Sequence, residues 1–315
     1  NLQLRVFSAF YLIAVYAFGI FSKTAWSDDY TALVDPSDVA LHAIRDARLV
    51  YGGLIDLLFH QFDSIALLSF VRLFGFLGLL LLNDLVLAKF LKTQNSISIV
   101  LATTIAFTLP SFQFSAHWAI TFMMCWAAYL ATLGLILQES ERLVVRLMGF
   151  LSFICSLLLY PLMSFFVVAY LYATWFLRQD SIKALIMGLK RLFLLMLASA
   201  TASYIIAYSY LHLHGLTFMP RVSVVNIGAL PEKFLFFFSR PFALTYRPYL
   251  LDSPSLAGYL ATVGIFAFLL LLLLINRYKT FGIAFQHFLV FNFFIVLTIL
   301  PLLVVGDNQI DLRFV

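Results

Sequence analysis

Charge is what this sequence has least of. Only 11% of its 315 residues are Asp, Glu, Lys or Arg, where a soluble domain carries about 25%. Long polar stretches are missing too: none exceeds about 40 residues, which leaves no room for a separate soluble domain. Cysteine is nearly absent. Cys125 and Cys155 both fall inside apolar runs, so they form no disulfide framework or metal-ligand pattern and read as buried free thiols. The formal charge of +5 is too diffuse for a nucleic-acid surface and is better explained by how the charges sort along the chain.

What the sequence has in abundance is apolar residues, 63% of the total, gathered in runs long enough to cross a bilayer, which takes roughly 20 mostly apolar residues. Hydropathy marks nine such segments, near 4–22, 64–82, 96–112, 116–137, 146–160, 162–177, 192–213, 256–275 and 287–305. The expected fold is therefore an all-α polytopic membrane protein, one membrane domain over 1–315, with about nine or more transmembrane helices. Tyr160-Pro161 alone separates the fifth segment from the sixth, as a tight turn or a kink. The first segment has no small-residue cleavage site and reads as a permanent span, not a signal peptide. Asn1 and Val315 read as trimmed ends, with a longer native C-terminus expected.

With the N-terminus placed in the cytoplasm, the cytoplasmic segments hold eleven basic residues against four acids. The opposite side then holds nine basic and eleven acidic residues. That asymmetry satisfies the positive-inside rule. Two long segments, 23–63 and 214–255, then lie on the non-cytoplasmic side. Long loops on one face of a rigid bundle are where function concentrates.

The first of these loops opens with Trp26-Ser27-Asp28-Asp29-Tyr30. The aromatic flanks suit the headgroup level, so the two carboxylates sit close to the membrane surface. There two neighbouring acids repel, and one with a raised proton affinity serves as a general base. The plainer alternative is a solvated turn or helix cap. After Pro36, Ser37 is placed to cap a helix. Leu41, Ile44, Tyr51, Ile55 and Leu58 then recur at helical spacing. Arg48 fills the gap in that stripe, while His42, Arg45 and Asp46 lie off it. This reads as one amphipathic juxtamembrane helix lying in the interface. An arginine on its apolar stripe needs a carboxylate or a phosphate, or else snorkels to the headgroups. Gly52-Gly53 permits close approach of another backbone or of a lipid chain.

The second loop contains Arg221, Lys233, Arg240 and Arg247, with Ser239-Arg240-Pro241 and Tyr246-Arg247-Pro248-Tyr249 setting arginines beside prolines. Proline restricts the backbone around it, which fits either a phosphate site or headgroup anchors. His117-Trp118 begins the fourth segment as a sugar-stacking pair or an interfacial anchor. His212 and His214, two residues apart, do not share a helical face and support a metal site weakly. Asp307, Asp311 and Arg313 stand after the last segment.

A first span, an outward loop with an aspartate pair and a juxtamembrane helix together resemble the glycosyltransferase C architecture. More narrowly, Trp26-Ser27-Asp28-Asp29-Tyr30, followed by Ala47-Arg48-Leu49-Val50-Tyr51-Gly52, resembles the Gtr-type glucosyltransferases, the bacterial and phage serotype-converting enzymes. Ala47 stands where their Gly-Arg motif carries glycine. The motif covers about residues 20–60, and the span layout covers most of the chain.

The resemblance implies inverting transfer of a sugar, glucose first, from a polyprenyl-phosphate carrier to a surface polysaccharide such as O-antigen. It implies a bacterial inner-membrane enzyme of lipopolysaccharide modification, with its site facing the periplasm. Asp28 or Asp29 would be the base, with a lean to Asp29. Arg48, Arg221, Arg240, Arg247 and Arg313, with Tyr246, His117 and Trp118, would bind donor phosphate and sugar. No cofactor is expected, and metal-independent transfer is preferred over a divalent-metal requirement. The lack of a Gly-rich nucleotide loop argues against direct use of a nucleotide sugar, and no nucleic-acid partner is expected. A lipid-linked-sugar transporter or flippase is the main rival reading; it calls for ionisable residues in mid-membrane, of which Arg72 is the nearest instance. A related transferase of another sugar and a non-catalytic scaffold are the others.

Overall fold

The computed structural model describes residues 2–22, 25, 27–62, 64–94, 96–109, 112–113, 118–219, 231 and 256–304. Among these there is no strand, as hydrocarbon requires: a spanning segment must satisfy its own backbone amides, and a helix does so internally. Among the described residues, six helical stretches are long and apolar enough to cross a membrane: Leu2–Phe21, Leu68–Thr93, Ala119–Leu137, Pro161–Arg178, Ile182–Leu213 and Phe281–Thr298. Ile97–Ala106, Leu143–Leu159 and Ala267–Tyr278 are shorter apolar helices. Each apolar segment marked in the sequence overlaps an apolar helix, and the chain is an α-helical polytopic membrane protein.

The chain divides into two compact units, 1–219 and 220–315. In the first, α1 (Leu2–Phe21) is followed by three short helices, α2 (Ser27–Val34), α3 (Pro36–Arg45) and α4 (Leu49–Gln61). Then come α5 (Leu68–Thr93), α6 (Ile97–Ala106), a 3-10 turn at Ala119–Thr121 and α7 (Met124–Leu137). The unit ends with α8 (Leu143–Leu159), α9 (Pro161–Ser164), α10 (Phe166–Arg178) and α11 (Ile182–Leu213). In the second unit, α12 (Leu256–Tyr278) and α13 (Phe281–Val304) pack on each other, with the Tyr278 and His287 rings 4.3 Å apart near their junction.

Small residues bring helices of the first unit together, as expected where lipid tails give no hydrophobic drive for helix association. A Cβ added at Gly134 of α7 or Gly149 of α8 would lie 2.8 Å from the other's carbonyl oxygen. Beside this crossing, Ser152 donates to the Leu130 carbonyl at 2.8 Å and Ser156 to that of Ala127 at 2.6 Å. Ser156 and Ser164, about 12 Å apart in a continuous helix, are hydrogen-bonded at 2.6 Å. The chain therefore reverses at Tyr160-Pro161, which is a turn and not a kink.

Leu12, Tyr16, Phe76, Leu79, Cys125 and Tyr170 belong to the main core. Beside it runs a polar chain in which Asn83 donates to Ser8, Ser8 meets Thr104, and Thr104 donates to the Val100 carbonyl. At one end of the bundle Arg5 pairs with Asp84, and Lys89 with Glu139 at 2.6 Å. These are four of the charges assigned to the cytoplasmic side. Cys155, expected to be buried, is exposed on the outside of α8.

Segment 36–61 departs from the single helix that its periodicity suggests. Asp46, Ala47 and Arg48 interrupt it, with Ala47 at φ 64°, in the left-handed region. α3 and α4 then fold against each other as a hairpin. Gly52 is what lets them close. A Cβ there would lie 2.7 Å from the Ala40 carbonyl oxygen and 2.6 Å from Ile44 Cγ1, whereas one on Gly53 would meet nothing within 4 Å. The α3 cap also differs from expectation. Asp35 accepts from the Asp38 amide at 3.0 Å, Pro36 follows in the first turn, and the Ser37 hydroxyl instead donates to Asp56 at 3.1 Å.

α11 has 32 residues, about 48 Å of helix, and outreaches the roughly 30 Å hydrocarbon layer. Its C-terminus closes in a Schellman turn: Gly215 takes φ 65°, the Leu216 amide bonds the Leu211 carbonyl at 2.8 Å, and that of Gly215 bonds His212 at 3.2 Å. The chain beyond is tied to the end of α3. Arg45 Nε donates to the Thr217 carbonyl at 3.1 Å, and the Met219 amide donates to the Arg45 carbonyl at 3.0 Å. Both long segments, 23–63 and 214–255, therefore begin at the same end of the bundle.

Candidate functional site

The two carboxylates of the first loop occupy the first turn of α2, where the exposed amides and dipole of a helix N-terminus favour negative charge. Adjacent helical residues point about 100° apart, and here that divergence separates their environments completely. The Asp29 side chain is fully buried. Its Oδ1 accepts from the Ile120 amide at 2.9 Å and its Oδ2 from the Ala119 amide at 3.3 Å. These donors belong to the 3-10 turn that leads into α7. Asp28 remains partly exposed.

The third group on Asp29 is Arg72, one turn into α5. Its Nη2 lies 3.7 Å from Asp29 Oδ2, and both side chains have no accessible surface. The guanidinium also donates to the Ser22 carbonyl at 2.7 Å, at the end of α1. One ion pair thus joins the ends of α1, α2, α5 and the 3-10 turn. A buried carboxylate and guanidinium hold their charges only when paired and hydrogen-bonded, and here both conditions are met.

Arg48, the arginine set into the apolar stripe, has found the carboxylate that such a residue needs. It bonds Asp46 across the α3–α4 break. Its guanidinium lies 5.6 Å from the centroid of the Tyr51 ring and 5.4 Å from that of Tyr160, within cation–π range. Burial works against the charge, but Tyr160, Asp46 and Tyr51 outweigh it and hold the guanidinium above its ordinary value. The Arg48 side chain is still 22% exposed, so a ligand can reach it. Tyr51 donates to the Ile120 carbonyl. Burial, opposed by Arg48 and reinforced by Tyr160, Asp28 and Asp29, pushes its phenol up. Asp28 thus acts electrostatically on the same tyrosine that Arg48 covers.

Trp118 is also here, but buried, at 8% exposure. Its carbonyl accepts from Thr121 at 2.8 Å in the 3-10 turn. His117, Arg221, Arg240, Tyr246, Arg247 and Arg313 lie outside the described residues. His212 and His214 lie on α11 and its cap, against Tyr208 and Tyr210. No cluster of three metal-binding side chains occurs among the described residues.

The structure therefore brings together Asp28, Asp29, Arg48 and the Trp118 turn, and adds Arg72, Asp46, Tyr51 and Tyr160. Arg72 carried a usable signal, because an arginine inside an apolar span is costly unless a partner meets it. The backbone donors at Ala119 and Ile120 carried none, since any residue supplies an amide. No protein-family model, curated protein or solved structure matches this chain.

Proposed function

We propose that the chain is an inverting membrane glycosyltransferase of the glycosyltransferase C type, crossing the bilayer with all nine apolar segments. Its donor is a polyprenyl-phosphate-linked hexose, glucose first, and its acceptor is a hydroxyl of a surface polysaccharide of the O-antigen kind. The bacterial inner membrane, with the α2–α4 end in the periplasm, is the matching location.

The observation that carries this reading is the division of labour within the aspartate pair. A reaction base must reach its substrate, and Asp29, buried against Arg72 and two amides, does not. Asp28 is partly exposed on the same helical turn. The base is therefore Asp28, and Asp29 is the group that fixes α2; this reverses the lean drawn from sequence. In the step itself the acceptor oxygen bonds to the anomeric carbon while its proton passes to Asp28. The bond from that carbon to the carrier oxygen breaks, and its electron pair leaves with the lipid phosphate. Arg48 stands ready for the growing phosphate charge, and the loop arginines 221, 240 and 247, with Arg313, join it on sequence grounds. Transfer needs no metal, so a chelator leaves the rate unchanged. Support for the family resemblance comes from Ala47, whose φ of 64° is the conformation glycine favours, at the position where the Gtr-type motif carries glycine.

The test is transfer by the purified protein from labelled polyprenyl-phosphate-glucose to O-antigen polysaccharide. Asp28→Asn lowers the rate about 100-fold or more while leaving the thermal transition unchanged. Full activity in Asp28→Asn removes the base assignment, and no transfer from any sugar carrier removes the enzyme.

A further inference from the structure

Two arginines of the first unit meet their carboxylates differently. Arg5 sets Nε on one oxygen of Asp84 and Nη2 on the other, the two-pronged fit that a planar guanidinium and a carboxylate favour. Arg48 gives Asp46 only Nη2, on Oδ2 alone. A guanidinium has more N–H groups than one such contact can use. Among the described residues that contact is the only hydrogen bond the Arg48 side chain makes, so Nε and Nη1 stay uncommitted. The Asp46 side chain is 4% exposed and that of Arg48 22%. The carboxylate is therefore shut in while the guanidinium stays within reach of solvent.

A corner of two rings accounts for the difference. Tyr51 and Tyr160 stand at 89° to each other with centroids 6.3 Å apart, and the guanidinium carbon lies within cation–π range of both. Each ring is held from behind. Tyr51 donates to the Ile120 carbonyl. Tyr160 belongs to the α8–α9 reversal, where Pro161 confines the residue before it to extended backbone, and it takes φ −154° and ψ 92°. Its amide donates to the Ser156 carbonyl at 3.0 Å, and its own carbonyl accepts from the Ser164 hydroxyl at 3.2 Å. The reversal thus presents a half-buried ring at a fixed place beside an arginine from a distant part of the chain.

We propose that Tyr160 is a positioning residue: its ring keeps the Arg48 guanidinium from closing both prongs on Asp46 and so leaves Nε and Nη1 for an incoming phosphate. The inference rests on the reading of Arg48 as the cation for the carrier phosphate. The experiment titrates farnesyl phosphate into the full chain in detergent micelles, with farnesol as the same hydrocarbon without the phosphate, so that binding is read without transfer. Wild type and Tyr160→Phe, which keeps the ring, are expected to prefer farnesyl phosphate equally. Tyr160→Leu loses about 2- to 30-fold in affinity for farnesyl phosphate, the range of one cation–π contact, and nothing for farnesol. On an Arg48→Gln background Tyr160→Leu makes no further change. A phenylalanine carrying three ring fluorines at position 160 keeps the shape and weakens the ring face, so its affinity falls below that of Tyr160→Phe even if the leucine variant misfolds. Equal loss with and without Arg48 overturns the positioning role. So does a Tyr160→Phe as weak as Tyr160→Leu, a fluorinated ring as good as Tyr160→Phe, or a wild type that binds farnesyl phosphate no better than farnesol. A Tyr160→Leu that binds like wild type also overturns it and leaves the transferase standing. The expected pattern in a protein that transfers no sugar keeps Tyr160 and Arg48 as a phosphate site and rejects only the transferase.

Discussion

Cutting the ion pair between Asp29 and Arg72 tests whether one buried contact holds the loop helices onto the bundle. Its charges lie 3.7 Å apart with no accessible surface on either side chain. At an effective dielectric of about 20, their attraction is on the order of 4 kcal/mol. Desolvation of both ions offsets most of that, so the pair as a whole adds little net stability. Removing one partner is different, because the survivor stays buried without its counter-charge. Asp29→Asn and Arg72→Met should therefore each destabilise by about 3–5 kcal/mol. The double variant should fall short of the sum by about 1–3 kcal/mol, the usual size of coupling between contacting residues. Unfolding in mixed detergent and dodecyl sulfate micelles measures all four proteins, with modification of the buried thiol of Cys125 as an independent readout. Single losses below about 1 kcal/mol, with losses that simply add, would refute the idea that this pair fastens α2 to α5.

Gly52→Ala, whose new Cβ would meet the Ala40 carbonyl oxygen at 2.7 Å, should cost about 1–3 kcal/mol by prising α3 from α4. Gly53→Ala, with nothing within 4 Å, should be neutral or gain up to about 1 kcal/mol; equal effects in the same unfolding titration would contradict the packing. Ala47→Gly relieves a left-handed residue at φ 64° and should stabilise by about 1 kcal/mol, read as a higher melting temperature. Tyr51 favours its neutral form in the folded protein, from an ordinary value of 10.0. Its contribution is full below about pH 10 and is lost as pH rises further. Tyr51→Phe should therefore flatten the alkaline fall in melting temperature; an unchanged slope would place that fall elsewhere.

The apolar helices were legible because apolar runs leave a chain little choice in lipid. Arg48 was legible as a residue in need of a partner, and Gly52 as a point of close approach. The break at Asp46-Ala47-Arg48 was not. Apolar residues on α3 and α4 keep helical spacing across it, so periodicity reads straight through a reversal that depends on one left-handed alanine. Asp35 was hidden as the cap because Ser37 is an equally good capping residue by type. That Asp29 is buried and Asp28 partly exposed was beyond sequence altogether. It depends on two backbone amides and on an arginine from another helix, contacts set by tertiary packing and not by any local pattern.

The tie between Arg45 and the chain after α11 has a consequence in time. Its partners stand 172 residues apart, so at about 5–20 residues per second the ribosome needs roughly 10–30 s to deliver the second after the first. The amide that meets Asp29 comes sooner, after 91 residues. The α3–α4 hairpin therefore emerges first, waits for the 3-10 turn to complete the cradle of Asp29, and is clasped last by residues 217–219. During that interval the nascent chain presents an unfastened hairpin at the membrane surface, the stage at which a membrane chaperone or a protease would meet it.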